Sequence, residues 1–123
     1  MKPEKTSFIY GRIKSIKFAF KGLFLLIRTE HSIIAQLSIG AIACGFGFYF
    51  KISSVEWMFQ IFAIGLVLTA ESLNTAIEKT CDFIHPDFDK KIGFIKDIAA
   101  GAVTFAAITA MIIGALIYIP KIF

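Results

Sequence analysis

Three apolar stretches dominate this chain: His31 to Phe50, Val55 to about Ile77, and Ile98 to Ile119. Each approaches or exceeds the roughly 20 residues an α-helix needs to cross a bilayer. Hydrophobic residues make up 57% of its 123 positions, too many for an ordinary soluble domain of this size. The expectation is therefore an all-α membrane protein, folded as one integral-membrane domain over residues 1–123.

The Lys and Arg residues set an expected orientation. Seven of the 13 precede His31: Lys2, Lys5, Arg12, Lys14, Lys17, Lys21 and Arg28. Lys79, Lys90, Lys91 and Lys96 surround the second connection, whereas the first has only Lys51 and the C-terminus only Lys121. By the positive-inside rule the N-terminus and the second connection are cytoplasmic, and the Lys51 turn and C-terminus face outward. Three spans give that same arrangement. The net charge of +4 is absorbed by this topology and calls for no nucleic acid partner.

Residues 1–5 read as a polar tail, and no signal peptide is evident. From about residue 8 to 28, Ile9, Ile13, Ile16, Phe20, Leu23, Phe24 and Ile27 recur at helical spacing, interleaved with Arg12, Lys14, Lys17 and Lys21. This pattern predicts an amphipathic helix in the cytoplasmic interface. The first span, 31–50, carries Gly40, Gly45 and Gly47, small residues that permit close helix contact. Ser53 followed by Glu56 predicts a capping box opening the second helix, 55–84, with Trp57 at the outer interface. Pro86 closes that helix after Ile84. The third span is predicted over 93–119, opening near Gly93 and ending at Pro120. Cys44 and Cys81 have neither zinc nor redox spacing and read as small buried hydrophobes. The 14 Phe residues read as packing or lipid-facing groups, and His31 and His85 as solvated interfacial residues.

Within this apolar frame, Glu71, Asn74, Glu78 and Asp82 fall in a narrow arc of one helical face at 100° per residue. Carboxylates entering a hydrophobic segment are costly, and they suit a face that holds metal and phosphate. Glu30 starts the first span, and Lys96 and Asp97 lie early in the third. Acids and a lysine from three helices are thus expected at similar depth. A hard-oxygen set of this kind accepts Mg²⁺ once phosphates complete its shell, Lys96 neutralises a transferring phosphoryl group, and a carboxylate takes a proton from an attacking hydroxyl. The residues alone point to phosphoryl transfer on a membrane substrate. There is no P-loop, kinase glycine loop or H-R-D triplet, so the familiar soluble nucleotide-binding folds do not apply.

Glu71-Ser-Leu-Asn-Thr-Ala-Ile-Glu78, then Asp82, then Lys96-Asp97-Ile-Ala-Ala-Gly-Ala-Val103 resemble the prokaryotic integral-membrane diacylglycerol kinase family, and the likeness runs from about Arg12 to Phe123. That resemblance implies a homotrimer with one surface helix and three spans per subunit, using ATP and Mg²⁺ on a membrane lipid alcohol. It makes Glu71 the general base, Glu30 and Glu78 metal ligands, and Glu30, Asn74, Glu78, Gly93, Lys96 and Asp97 the nucleotide-binding set, with Asp82 in support. Two positions depart from the pattern. Gly11 stands where the family often has an arginine, which leaves Arg12 a supporting candidate. Gln36 stands where the family tends to carry an ionisable residue. Arg28-Thr-Glu30, Ser54 to Met58, Asn74 to Glu78, Ala99 to Val103 and Ile119-Pro-Lys121 resemble the undecaprenol kinase branch more than the diacylglycerol branch. The rival classes are a small multidrug transporter, which would want a mid-span acid and a fourth span, and a scaffolding protein, which leaves the carboxylates unexplained.

Overall fold

Ser7 opens the first helix by accepting a hydrogen bond from Tyr10 N, and the chain stays helical from Phe8 to Thr29 (α1). The structure, a computed structural model, describes residues 7–123. The expected polar tail, with Lys2 and Lys5, lies outside the described residues. Three longer helices follow: α2 (His31–Tyr49), α3 (Ser54–Ile84) and α4 (Lys90–Ile122). Each of these three is long and apolar enough to cross a membrane.

One residue separates α1 from α2. Glu30 adopts an extended conformation (φ −107°, ψ 113°) while its N–H still bonds to Leu26 O and its carbonyl accepts from Ile33 and Ile34. The chain therefore changes direction with little loss of backbone hydrogen bonding. No residue of α1 is buried, and Ile9, Ile13, Ile16, Phe20, Leu23 and Phe24 are all exposed. An apolar face of this kind suits contact with lipid.

The turn between α2 and α3 is tight because α2 ends in a Schellman motif. Ile52 N bonds to Gly47 O at 3.1 Å and Lys51 N to Phe48 O at 3.3 Å, with Lys51 in the left-handed region at φ 54°. Ile52, buried, plugs the end of the helix. The capping box at Ser53 and Glu56 is formed as expected. Close approach of α2 to α3 depends on Gly47 and Gly40. A Cβ on Gly47 would meet the Trp57 ring at 2.8 Å, and one on Gly40 would meet Ile64 at 3.1 Å. Gly45 has nothing within 4 Å among the described residues, so within this chain it makes no helix contact of the kind expected.

Two predicted boundaries of the last helix are corrected. It starts at Lys90, three residues before Gly93, because the Asp89 side chain caps it by accepting from Lys91 N and Ile92 N. It also runs through Pro120 to Ile122. Proline removes one donor, but so few residues follow that the loss is small. Lys121 then holds the end in place, reaching Glu56 Oε2 at 2.7 Å and Ile117 O at 3.3 Å.

Helices α3 and α4 form the most extensive contact in the chain and are joined by ion pairs at both ends, Asp82–Lys96 and Glu56–Lys121. A polar cluster ties α2 to this pair: Gln60 Nε2 donates to Ala43 O at 3.2 Å, and the Tyr118 hydroxyl donates to Gln60 Oε1. Between these three helices lies an apolar cavity of about 590 Å³, with Gln36 on its lining. Cys44 and Cys81 are free thiols; Cys81 is buried as expected, whereas Cys44 is only half-buried.

Candidate active site

The buried face of α3 explains where its acidic stripe leads. Gln60, Ala63 and Val67 are buried, and on a helical wheel they share the direction of Glu71, Asn74 and Glu78. Towards the C-terminal end that face opens. Glu71 and Asn74 are half-buried, whereas Glu78 and Asp82 are exposed. The stripe is thus the core-facing side of α3 continued to where that side partly opens, flanked by Thr75 and Cys81, which stay buried.

Asn74 supplies the clearest sign of an incomplete site. Its Oδ1 is buried and has no hydrogen-bond partner among the described residues. A buried unpaired amide oxygen is costly, by about 1–3 kcal/mol. It is a hard oxygen acceptor in want of a donor or cation.

Glu30 reaches the same region from the α1–α2 break. Its side chain is 19% exposed; Oε2 accepts from Thr29 Oγ1 at 3.1 Å and forms an ion pair with Lys79 Nζ at 3.3 Å. Glu30 and Lys79 also sit at one end of a groove of about 650 Å³ between α1 and α3. Its walls include Phe18, Gly22 and Leu26 from α1 and Ser72 and Thr75 from α3.

Lys96 comes from the second turn of α4, and its Nζ lies 2.7 Å from Asp82 Oδ1. The structure therefore joins two of the expected site residues directly. Asp97, its neighbour, is exposed, as is Arg12 on α1. Gly93 lies in the opening turn of α4, with its N–H bonded to Asp89 O at 2.9 Å.

Glu30, Glu71 and Glu78 do not converge within one chain. Among the described residues, no three acidic, histidine or cysteine side chains are close enough to share a metal. What one chain assembles there is instead a pair of cross-helix ion pairs, Glu30–Lys79 beside the stripe and Asp82–Lys96 at its end. Sequence reasoning counted Lys79 only as a topological charge. A lysine one position from Glu78, with an acid at the helix break, was the available signal.

The sequence matches the prokaryotic diacylglycerol kinase family over residues 17–118. That stretch contains every candidate site residue except Arg12. The chain is also 37% identical over 109 residues, 89% of each sequence, to the undecaprenol kinase of Bacillus subtilis (strain 168). The transporter and scaffold readings find no support in either comparison.

Proposed function

This chain belongs to the prokaryotic diacylglycerol kinase family, and on that premise we propose that it transfers the γ-phosphoryl group of ATP to undecaprenol at the inner face of a bacterial cytoplasmic membrane. The observation that carries this reading is the 37% identity to an undecaprenol kinase over 89% of the chain. Diacylglycerol, the substrate in the family's own name, is the competing acceptor.

The placement of the polar face supports a reaction at the interface. A hydrocarbon core of about 30 Å takes up about 20 residues at 1.5 Å each. Counted inward from Ser54, that length ends near Leu73. Glu71 and Asn74 then sit at the inner boundary, with Glu78 and Asp82 beyond it. A lipid hydroxyl and a water-soluble nucleotide meet at that level. The N-terminus lies inside, α1 lies along the inner surface and the C-terminus lies outside.

In this mechanism Glu71 accepts the proton of the lipid hydroxyl as its oxygen bonds to the γ-phosphorus. The bond to the bridging oxygen breaks and ADP leaves. Lys96 faces the nucleotide phosphates, with Asp82 holding its ammonium, and Asp97 and Gly93 line the same helix opening. The residues present fit a magnesium ion that draws most of its ligands from phosphate and water. One or two carboxylates suffice for such an ion, and the unpartnered Asn74 Oδ1 is a hard oxygen nearby in sequence. Glu30 and Glu78 would hold it. When bound, Mg²⁺ offsets charge on the transferring phosphoryl group.

Assembly as a homotrimer, with sites completed between neighbouring copies, accounts for acids that one chain leaves apart. The test is phosphate incorporation from ATP by purified protein offered undecaprenol and diacylglycerol side by side. Undecaprenol is expected to be preferred, and Glu71→Gln to lower kcat by about 10²–10⁴-fold with assembly unchanged. Normal turnover by that variant removes Glu71 as the base, and phosphorylation of diacylglycerol alone overturns the substrate.

A further inference from the structure

Glu30 is held in a way the kinase reading does not by itself require. It is the only residue between α1 and α2, in extended conformation, so the direction of its side chain is set by its contacts rather than by a helix of its own. Both polar contacts to its carboxylate fall on one oxygen. Thr29 Oγ1 and Lys79 Nζ approach Oε2, and no described residue donates to Oε1. Lys79 arrives from α3, across the groove that separates α3 from α1.

As a contribution to folding, this ion pair is minor. The Lys79 side chain is 68% exposed, and pairs so open to solvent contribute about 0–1 kcal/mol. Thr29 alone cannot orient the carboxylate, because its single hydroxyl proton is shared between Glu30 Oε2 and Leu25 O, the nearer acceptor at 2.7 Å. Lys79 is thus the group on a separate helix that selects which oxygen of Glu30 stays free.

We propose that Lys79 is a positioning residue for the nucleotide site: by engaging Oε2 it fixes Glu30 so that Oε1 is the oxygen presented to magnesium-bound ATP. This rests on the kinase reading, in which Glu30 meets the metal–nucleotide pair. Outer partners of this kind orient metal-binding carboxylates, and their loss weakens binding by about 10–100-fold. Lys79 follows Glu78 directly, so one turn of α3 would present one proposed ligand and orient the other.

The experiment compares wild type, Lys79→Ala, Lys79→Arg and Glu30→Gln as purified full-length protein in detergent micelles. Calorimetric titration with Mg·ATP gives affinity without turnover, and thermal unfolding is followed in parallel. Lys79→Ala is expected to weaken Mg·ATP binding about tenfold and to raise the KM for Mg·ATP far more than it lowers kcat, with the unfolding temperature unchanged. Lys79→Arg is expected to restore most of the affinity, since it keeps a donor cation at the same place. Unchanged affinity in Lys79→Ala, alongside weakened binding in Glu30→Gln, overturns the role of Lys79 and leaves the kinase reading standing. A loss that Arg does not rescue and that accompanies a lower unfolding temperature also overturns it, as damage to packing. Wild-type protein that neither binds Mg·ATP nor phosphorylates lipid overturns both.

Discussion

Removing the Tyr118 hydroxyl should destabilise the bundle more than removing the amide it serves. Gln60 is 5% exposed, and its Oε1 has no other donor among the described residues when Tyr118 becomes Phe. The amide N–H still donates to Ala43 O, and the oxygen is stranded. Stranding a buried acceptor costs about 1–3 kcal/mol, and hydrogen bonds between membrane helices have reached about 1.7 kcal/mol. About 1.5 kcal/mol is therefore expected for Tyr118→Phe. Gln60→Leu leaves the hydroxyl an alternative, because Ala43 O already lies 3.3 Å from it. That variant should cost less than about 1 kcal/mol. The double variant strands nothing, so it should be milder than the sum of the two by about 1 kcal/mol.

The assay is reversible unfolding in mixed micelles with increasing dodecyl sulfate, read by circular dichroism for the four proteins of the cycle. Kinase kcat should hold steady in all four, since Gln60 lies eleven residues from Glu71, about 16 Å along α3. Additive effects within about 0.3 kcal/mol would refute the idea that this cluster couples the three helices.

Two further substitutions probe the turn and the close packing beside it. Gly47→Ala should destabilise by about 1–3 kcal/mol in the same unfolding assay, because its Cβ meets the Trp57 ring at 2.8 Å; Gly45→Ala, facing open space, should be neutral or slightly stabilising, and equal effects would contradict the assigned interface. Lys51→Gly should raise stability by up to about 1 kcal/mol, since φ 54° is a left-handed conformation unfavourable to lysine; a loss would show that the lysine side chain matters more than the backbone.

Local chemistry made much of the fold legible. Pro86 ended α3 where the sequence places it, and Ser53 with Glu56 opened it, because both signals act within one helical turn. The stripe of Glu71, Asn74, Glu78 and Asp82 was visible for the same reason, as periodicity alone puts them on one face. Gly93 misled as a helix start because glycine reads as a break, whereas the Asp89 cap three residues before the expected start decides the matter. Pro120 misled in the opposite sense, since the Lys121–Glu56 contact that steadies the helix beyond it comes from a residue far away in sequence. Glu30–Lys79 and Gln60–Tyr118 share that difficulty. Nothing local predicts which distant partner a polar side chain finds. The presence of Gln60 in the apolar run from Trp57 to Ala70 did at least require that some partner exist.

Continuity between the core face and the acidic face of α3 has a consequence for how such a site is built. A helix buried along one side and ending in water must change the character of that side somewhere along its length. Along the stripe itself the change falls between Val67, buried, and Glu78, exposed, with Glu71 and Asn74 half-buried between them, while Thr75 and Cys81 beside the stripe stay buried. Groups at that transition are partly desolvated, which strengthens their interactions, yet they remain reachable from the aqueous end. Moving the acids one turn outward would place them beside Val67 and Ala63, where no described side chain offers a counter-charge. Moving them one turn inward would leave them fully hydrated and weakly interacting. The turn from Glu71 to Asn74 is therefore the stretch of this stripe whose polar groups are half-buried and yet open towards the aqueous end.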